Sequence, residues 1–342
     1  MRLFNILACT TFAVLSVMPC SAQTPAYRLV KEVALGAPDK WDYVVYDDSL
    51  DRVFVAHGDR VTVVDNKTGA VVGNVEGTTG GSHGIAFAAG KGYTDDGKAG
   101  TVLVFDPASL KVLKTIKAEP DADGIAYEPV SGHILVIDGD SAKITVIDPK
   151  TDTVVATVET GGGLEFGVSG ENGKFYVDGA EKGEIVRVDM KTNKADAHWP
   201  LQGCADPHGL AIDRATMRLF ASCKNKVIAV VDANSGTVLA RFPIGDGTDF
   251  DVFDPVRKWA LSSNRDGTLS VIAENGPNRF EVLPPVATAY GARTMAINPK
   301  TGRLFLATGD FQENPSAVDT RHRHSLKPGS AKLLILDSVV RP

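Results

Sequence analysis

The chain has 342 residues, 43% of them apolar and 23% charged, and 42 acidic against 36 basic residues give a net charge of −6. That acidic balance, without a basic run, excludes nucleic acid and anionic membrane as the main partner. The length is sufficient for a large buried core in one or two domains.

Residues 1–22 read as a secretory leader. Arg2 is the only charge, Leu3 to Met18 is mostly apolar, and Cys20-Ser21-Ala22 ends in a small residue suited to cleavage. The apolar stretch is too short, and too soon interrupted by Pro19, to span a bilayer. The mature product, residues 23–342, is therefore expected to be periplasmic or secreted, with no membrane partner. Cys9 and Cys20 leave with the leader. Cys204 and Cys223 remain as an even pair in an oxidising compartment, which predicts a disulfide. There is no Cys-x-x-Cys-His haem site, no His-Glu-x-x-His zinc site and no Gly-Lys-Ser/Thr phosphate loop.

Beyond the leader, one unit keeps returning. An apolar alternation ending in an acid is followed by a turn and a further strand-like run. It occurs as Val61-Thr-Val-Val-Asp65, Val102-Leu-Val-Phe-Asp106, Ile144-Thr-Val-Ile-Asp148, Ile185-Val-Arg-Val-Asp189 and Ile228-Ala-Val-Val-Asp232. Leu269-Ser-Val-Ile-Ala273 and Leu333-Leu-Ile-Leu-Asp337 complete seven copies, at spacings of 41, 42, 41, 43, 41 and 64 residues. Each unit carries four short strand-like runs parted by turn-rich segments such as Asn66-Lys-Thr-Gly69, and no comparable helical periodicity. Four strands per unit of this length predict a propeller blade, and seven blades predict an all-β, seven-bladed propeller. Tyr27 to Leu35 resembles the fourth strand of other units, whereas the last unit stops after its third strand at Asp337. The N-terminal segment is thus expected to complete blade seven and cover its open edge.

The repeated Val-x-Val-Ile-Asp-x-x-Thr pattern resembles the YVTN-repeat, YncE-like seven-bladed propellers exported by bacteria. The literal Tyr-Val-Thr-Asn tetrapeptide is absent; Ala260-Leu-Ser-Ser-Asn264 and Lys174-Phe-Tyr-Val-Asp178 are looser versions. The resemblance implies the fold across essentially the whole mature chain. It implies no activity, because propellers host many unrelated chemistries.

Alignment of the units exposes a second regularity. Just before the apolar run of each first strand stands an ionisable residue: Asp42, His83, Asp123, Glu165, His208, Asp249 and Arg293. Propeller closure would gather these at one mouth of the central channel. Two interpretations stand side by side. Asp and His at such positions lock blades together by bonding neighbouring backbone N–H groups. Alternatively they form a site, in which Asp42, Asp123, Glu165 and Asp249 hold a divalent cation such as Ca, Mg or Zn. Arg293 would then clamp an anionic group of a ligand.

The loops joining second to third strands should share that face: His57-Gly-Asp59, Asp95-Asp-Gly97, Asp138-Gly-Asp140, Asp178-Gly-Ala-Glu181 and Asn264-Arg-Asp-Gly267. Most read as solvated tight turns. His57, ending a strand close to Asp42, is the expected exception and a ligand contact, as is Trp41. The longest spacing places an insertion at about residues 311–330, between the second and third strands of blade seven. It contains Arg321-His-Arg-His324 and is either unstructured or a lid presenting His322 and His324. Gly80-Gly-Ser-His-Gly84 matches the Gly-x-Ser-x-Gly elbow but enters a strand in a helix-free repeat, so it is not a nucleophile site. Asn66-Lys-Thr68 is a formal glycosylation sequon read here as a turn.

Two functions follow. One is a monomeric binding or scaffold protein holding a small ligand, a metal ion or a protein partner on the channel face. The other is a metal-assisted lactonase, hydrolase or lyase, with His83 or His208 as general base and Arg293 stabilising an oxyanion.

Overall fold

The computed structural model describes residues 26–314 and 323–339. The leader assigned to residues 1–22, with Cys9 and Cys20, lies outside the described residues, as do Arg321 and His322.

Seven antiparallel sheets of four strands follow one another along the chain. Blade 1 holds Val44–Asp47, Arg52–His57, Arg60–Asp65 and Val71–Glu76. Blades 2 to 6 open with the inner strands Ile85–Ala88, Ala122–Glu128, Gly167–Ser169, Pro207–Asp213 and Thr248–Asp254. Blade 7 takes Thr294–Ile297, Leu304–Thr308 and Lys332–Ser338 from one end of the chain and Tyr27–Ala34 from the other. Inner strands of neighbouring blades touch all the way round, blade 7 against blade 1 included. The fold is a closed seven-bladed β-propeller.

The middle strands are apolar almost throughout because both their faces meet a neighbouring blade. Arg52–His57 and Arg60–Asp65 bury every residue between their ends, whereas the outer strand Lys194–Pro200 only alternates between exposed and half-buried. Side chains from adjacent blades interdigitate; Tyr27, Trp259, Leu261, Leu304 and Leu336 belong to one such layer. Helix is almost absent. Among the described residues it amounts to the single 3₁₀ turn Ala180–Lys182, and no helix is long and apolar enough to cross a membrane.

The acid that ends most of the repeated runs is a turn-former. Asp65 accepts the backbone N–H and the hydroxyl of Thr68, each at 2.8 Å. Asp106 takes the N–H groups of Ala108 and Ser109, and Asp232 those of Asn234 and Ser235. These Asx turns join third to fourth strands, so antiparallel alternation puts them on the face opposite the channel mouth. The most visible acid of the repeat therefore takes no part in the mouth.

Closure is made by register. Tyr27 to Ala34 pairs antiparallel with Ser338 to Lys332. In this outer strand only Tyr27 and Val33 are buried, Tyr27 edge-on to Trp259 at 6.2 Å. Cys204 and Cys223 are joined as a disulfide with Cα atoms 5.4 Å apart, across the rim where Cys223 ends a strand opposite Pro207. Between the second and third strands of blade 7 the chain forms a short hairpin, Phe311–Glu313 against His324–Leu326.

Candidate channel-mouth site

Backbone register explains how the aligned residues come to point inward. The pairing of first and second strands slips by one between Ala122 and Gly124, between Pro207 and Gly209, and between Thr248 and Phe250. Asp123, His208 and Asp249 are the extra residues of these bulges. A bulge turns its side chain out of the ladder, here toward the axis.

The ring resolves into two acid–imidazole–acid arcs and a guanidinium. In the first arc, from blades 1 to 3, His83 Nδ1 lies 2.8 Å from Asp42 Oδ2 and 3.0 Å from Asp123 Oδ1. In the second, from blades 4 to 6, His208 Nε2 lies 3.0 Å from Glu165 Oε1, and Asp249 completes the group. Within each arc the three possible ligand atoms lie within 4.8 Å of one another. The arcs differ in what surrounds them. Asp249 is already paired with Lys224 Nζ at 2.8 Å and with Arg293 Nε at 3.2 Å. The first arc has no such cation bonded to its carboxylates among the described residues beyond His83 itself.

Burial would lower the pKa of His83, but the bonds from Asp123 and Asp42 outweigh it and lift the imidazole to about 11. Burial pushes the Asp42 carboxyl up to about 6 against the pull of His83. The same balance acts in the second arc: burial raises Glu165, and the bond from Glu165 raises His208 despite its desolvation.

Beneath the ring the channel is closed by aromatic rings. The residue following the ring position is Tyr43, Phe166 or Phe250 in blades 1, 4 and 6. Their centroids lie 5.2 Å (Tyr43–Phe166), 5.2 Å (Tyr43–Phe250) and 4.4 Å (Phe166–Phe250) apart, so three blades meet across the axis. Burial and the charges of Glu165, Asp123 and Asp42 hold the Tyr43 phenol well above its ordinary range. In blades 2, 3 and 5 the same position is glycine. A Cβ on Gly84 would stand 2.3 Å from Ile125 N, which shows how closely the inner strands approach there. The frames Asp42-Tyr43, Glu165-Phe166 and Asp249-Phe250 carried this signal in the sequence.

The turn tips Asp59, Asp140, Glu181 and Asp266 are exposed, as solvated turns require, but the strand ends that open the turns form a buried layer behind the ring. His57, Asp95, Asp138, Asp178 and Asn264 are all fully buried. Asp95 accepts the backbone N–H of His83 at 2.6 Å and of Gly84 at 2.8 Å. Ser263 donates to the Arg293 carbonyl at 2.5 Å, and Thr294 to the Asp42 carbonyl at 2.7 Å across the blade 7–blade 1 joint. Asp178 has no partner at either oxygen among the described residues, and burial drives its carboxyl far upward, towards the neutral acid. Residues behind the ring thus hold backbone groups, Asp95 within blade 2 and Ser263 and Thr294 between blades. The ring carboxylates and Arg293 bond other side chains.

A cavity of about 370 Å³ opens beside the first arc, lined by Trp41, Asp42, His83, Arg265, Arg293 and Phe311 among others. Trp41 lines this cavity, with the Phe311 ring edge-on at 6.4 Å. His57 does not. It is wholly enclosed with Nδ1 2.8 Å from the Thr62 hydroxyl, and burial pushes its pKa down, so it faces protein and no ligand. His324 stacks on Tyr290 at 3.8 Å, and Tyr290 meets Phe311 at 5.0 Å. Lys224 went unread in the sequence; it directly follows Cys223, at the rim set by the disulfide.

Fold and site together define a seven-bladed β-propeller protein with an ionisable channel mouth. No family model and no curated protein matches the chain. Among solved structures it resembles a chain of Kuenenia stuttgartiensis hydrazine synthase, with TM-score 0.70 and 15% identity over 78% of this chain and 92% of that one. It also resembles a chain of the mitotic checkpoint complex, with TM-score 0.72 and 14% identity over 98% of each. A third is U3-55K, with TM-score 0.73 and 10% identity over 91% of this chain and 98% of that one. At such identities the likeness concerns the fold alone.

Proposed function

We propose that this is an exported binding propeller of the YVTN-repeat, YncE-like kind, monomeric and periplasmic, whose channel mouth holds a small ligand or a divalent metal ion. One observation carries the reading: the ring carboxylates and Arg293 engage other side chains over a closed aromatic floor, while Asp95, Ser263 and Thr294 lock the backbone. The ring pairs also tie neighbouring blades together, and what they add is a cluster of charged donor atoms gathered at the mouth. The disulfide fits an oxidising compartment.

The first arc offers one imidazole nitrogen and two carboxylate oxygens, a donor set that suits Zn better than the all-oxygen shells of Ca or Mg. The second arc is less suited, because Lys224 and Arg293 already balance Asp249. The enzymatic alternative is weaker on geometry. His208 has carboxylates near both ring nitrogens, Glu165 at 3.0 Å and Asp206 at 3.4 Å, which favours the imidazolium over a free base.

The test is a thermal-shift screen of divalent metals and small organic anions against untagged protein and a ring-neutralised variant, Asp42→Asn with Asp123→Asn. A folded variant that loses the stabilisation seen in the parent supports the mouth as a binding site. A variant that fails to fold, beside a parent that nothing stabilises, makes the ring a structural lock.

A further inference from the structure

The cavity beside the first arc has a chemistry of its own. Its lining includes four cations, Lys40, Lys98, Arg265 and Arg293, against two carboxylates, Asp39 and Asp42. This inverts the balance of a chain with 42 acidic and 36 basic residues. Both carboxylates are engaged. Asp39 accepts the backbone N–H of Gly329 at 2.7 Å and of Ser330 at 3.0 Å, and Asp42 is bonded to His83.

Three of the four cations are not. Among the described residues no carboxylate pairs with Lys40, Lys98 or Arg265, and Arg293 commits only its Nε, to Asp249. Arg265 is oriented by stacking over Tyr290 at 5.9 Å. Positive charges held in one concave site, with most of their donors unspent, recognise an anion.

One wall is apolar and aromatic, a corner of two rings. Trp41 and Phe311 meet edge-on at 6.4 Å, and Tyr290 backs Phe311 at 5.0 Å. Glycines bring the backbone close around this wall. A Cβ on Gly291 would lie 2.7 Å from the Phe311 ring, and φ there is +83°. At about 370 Å³ the space suits a small organic molecule.

We infer that this cavity binds a small organic anion with a flat apolar body, its charge held by Lys98, Arg265 and Arg293 and its ring laid in the corner between Trp41 and Phe311, face to one and edge to the other. The inference rests on the reading of the mouth as a binding site and names the ligand class.

Four probes test it by calorimetry on the full folded chain: naphthoate, naphthylmethanol, naphthylmethylammonium and inorganic phosphate. Naphthoate is expected to bind at least about tenfold more tightly than its neutral and cationic counterparts. The double variant Lys98→Gln with Arg265→Gln alters two exposed side chains and should keep the parent's circular dichroism and melting. It is expected to weaken naphthoate about tenfold or more. Trp41→Ala should weaken naphthoate and leave phosphate unchanged. An ammonium probe that binds as well as naphthoate, or naphthoate binding unchanged in the double variant, overturns the assignment. If the ammonium probe binds and the ring-neutralised variant loses it, the mouth remains a binding site and only the anion class fails. Silence from all four probes overturns the anion class; a parent that metals also leave unstabilised removes the mouth reading as well.

Discussion

The imidazole of His83 on blade 2 and the carboxylate of Asp42 on blade 1 stand 2.8 Å apart, and Asp123 of blade 3 reaches the same nitrogen. Three consecutive blades thus place one nitrogen and two oxygens around a single point, from positions at or just before the start of each inner strand. A divalent ion that prefers mixed nitrogen and oxygen donors would displace the proton there. Zn at one hundred times its dissociation constant is expected to stabilise the fold by about 2.7 kcal/mol, read from urea denaturation of untagged protein. Asp123→Asn should abolish the gain. Glu165→Gln, in the arc whose Asp249 already has two cationic partners, should retain it. Equal loss in both variants, or an equal gain from Mg, contradicts the proposed donor set.

The ends of the chain make a second prediction. Tyr27–Ala34 covers the edge of Lys332–Ser338, and Tyr27 fills the layer against Trp259. Removing residues up to Ala34 exposes a row of unpaired backbone groups and empties an aromatic position. The truncated protein is expected to aggregate or to lose cooperative unfolding. Because Tyr27 lies opposite Ser338, the same strand appended after Val339 through a tight turn would run in the native direction. That permuted chain should regain a single unfolding transition. Cooperative folding of the plain truncation would mean that closure does not depend on this strand.

The seven-fold plan was legible because the repeat is written in the chain itself, as an apolar alternation at near-constant spacing. Ring positions were legible for a related reason: they sit at a fixed offset ahead of each inner strand. What lay behind them was not. Asp95, Asp138 and Asp178 sit beside glycines and read as solvated turns, and only closure of the ring buries them. His57 misled for the converse reason, since a strand end near Asp42 in register still points into the protein. Lys40, Lys98 and Arg265 come from loops of different blades, with no shared offset, so the cavity they line has no linear signature. The Tyr43, Phe166 and Phe250 floor did have one, though in only three of seven units.

Asp95 separates locking from binding experimentally. Its carboxylate takes the N–H groups of His83 and Gly84, just ahead of the inner strand of blade 2, at 2.6 and 2.8 Å, in a fully buried position. Asp95→Ala leaves both donors unpaired away from water, and the expected cost is about 2–4 kcal/mol. Asp123→Asn, in the ring, keeps an acceptor of similar shape and should cost about 1 kcal/mol or less. Denaturation of both variants gives the ordering directly. A ring variant that destabilises more than Asp95→Ala would move the ring from ligand binding to structure.

On the opposite face, Glu274 predicts a pH dependence of stability. It is buried in blade 6, and the Thr216 hydroxyl lies 3.4 Å from it and 2.7 Å from Asp213 of blade 5. Burial, together with the bond and charge of Asp213, pushes the Glu274 carboxyl from its ordinary 4.5 up to about 7, with Arg218 pulling weakly the other way. The folded state therefore holds this proton more tightly than the unfolded chain. Its contribution to stability is fully present below about pH 4.5 and is lost as pH rises through 7, on the order of 3 kcal/mol in all. Glu274→Gln keeps the size and removes the titration. Urea denaturation at pH 5 and pH 8 should show the parent losing more stability than the variant between the two. The variant should be the more stable protein at pH 8, because no charge is then forced into the blade 5–blade 6 interface. An identical loss in both proteins would place the titration elsewhere, and a variant less stable at pH 8 would mean that the ionised carboxylate is bonded and needed there.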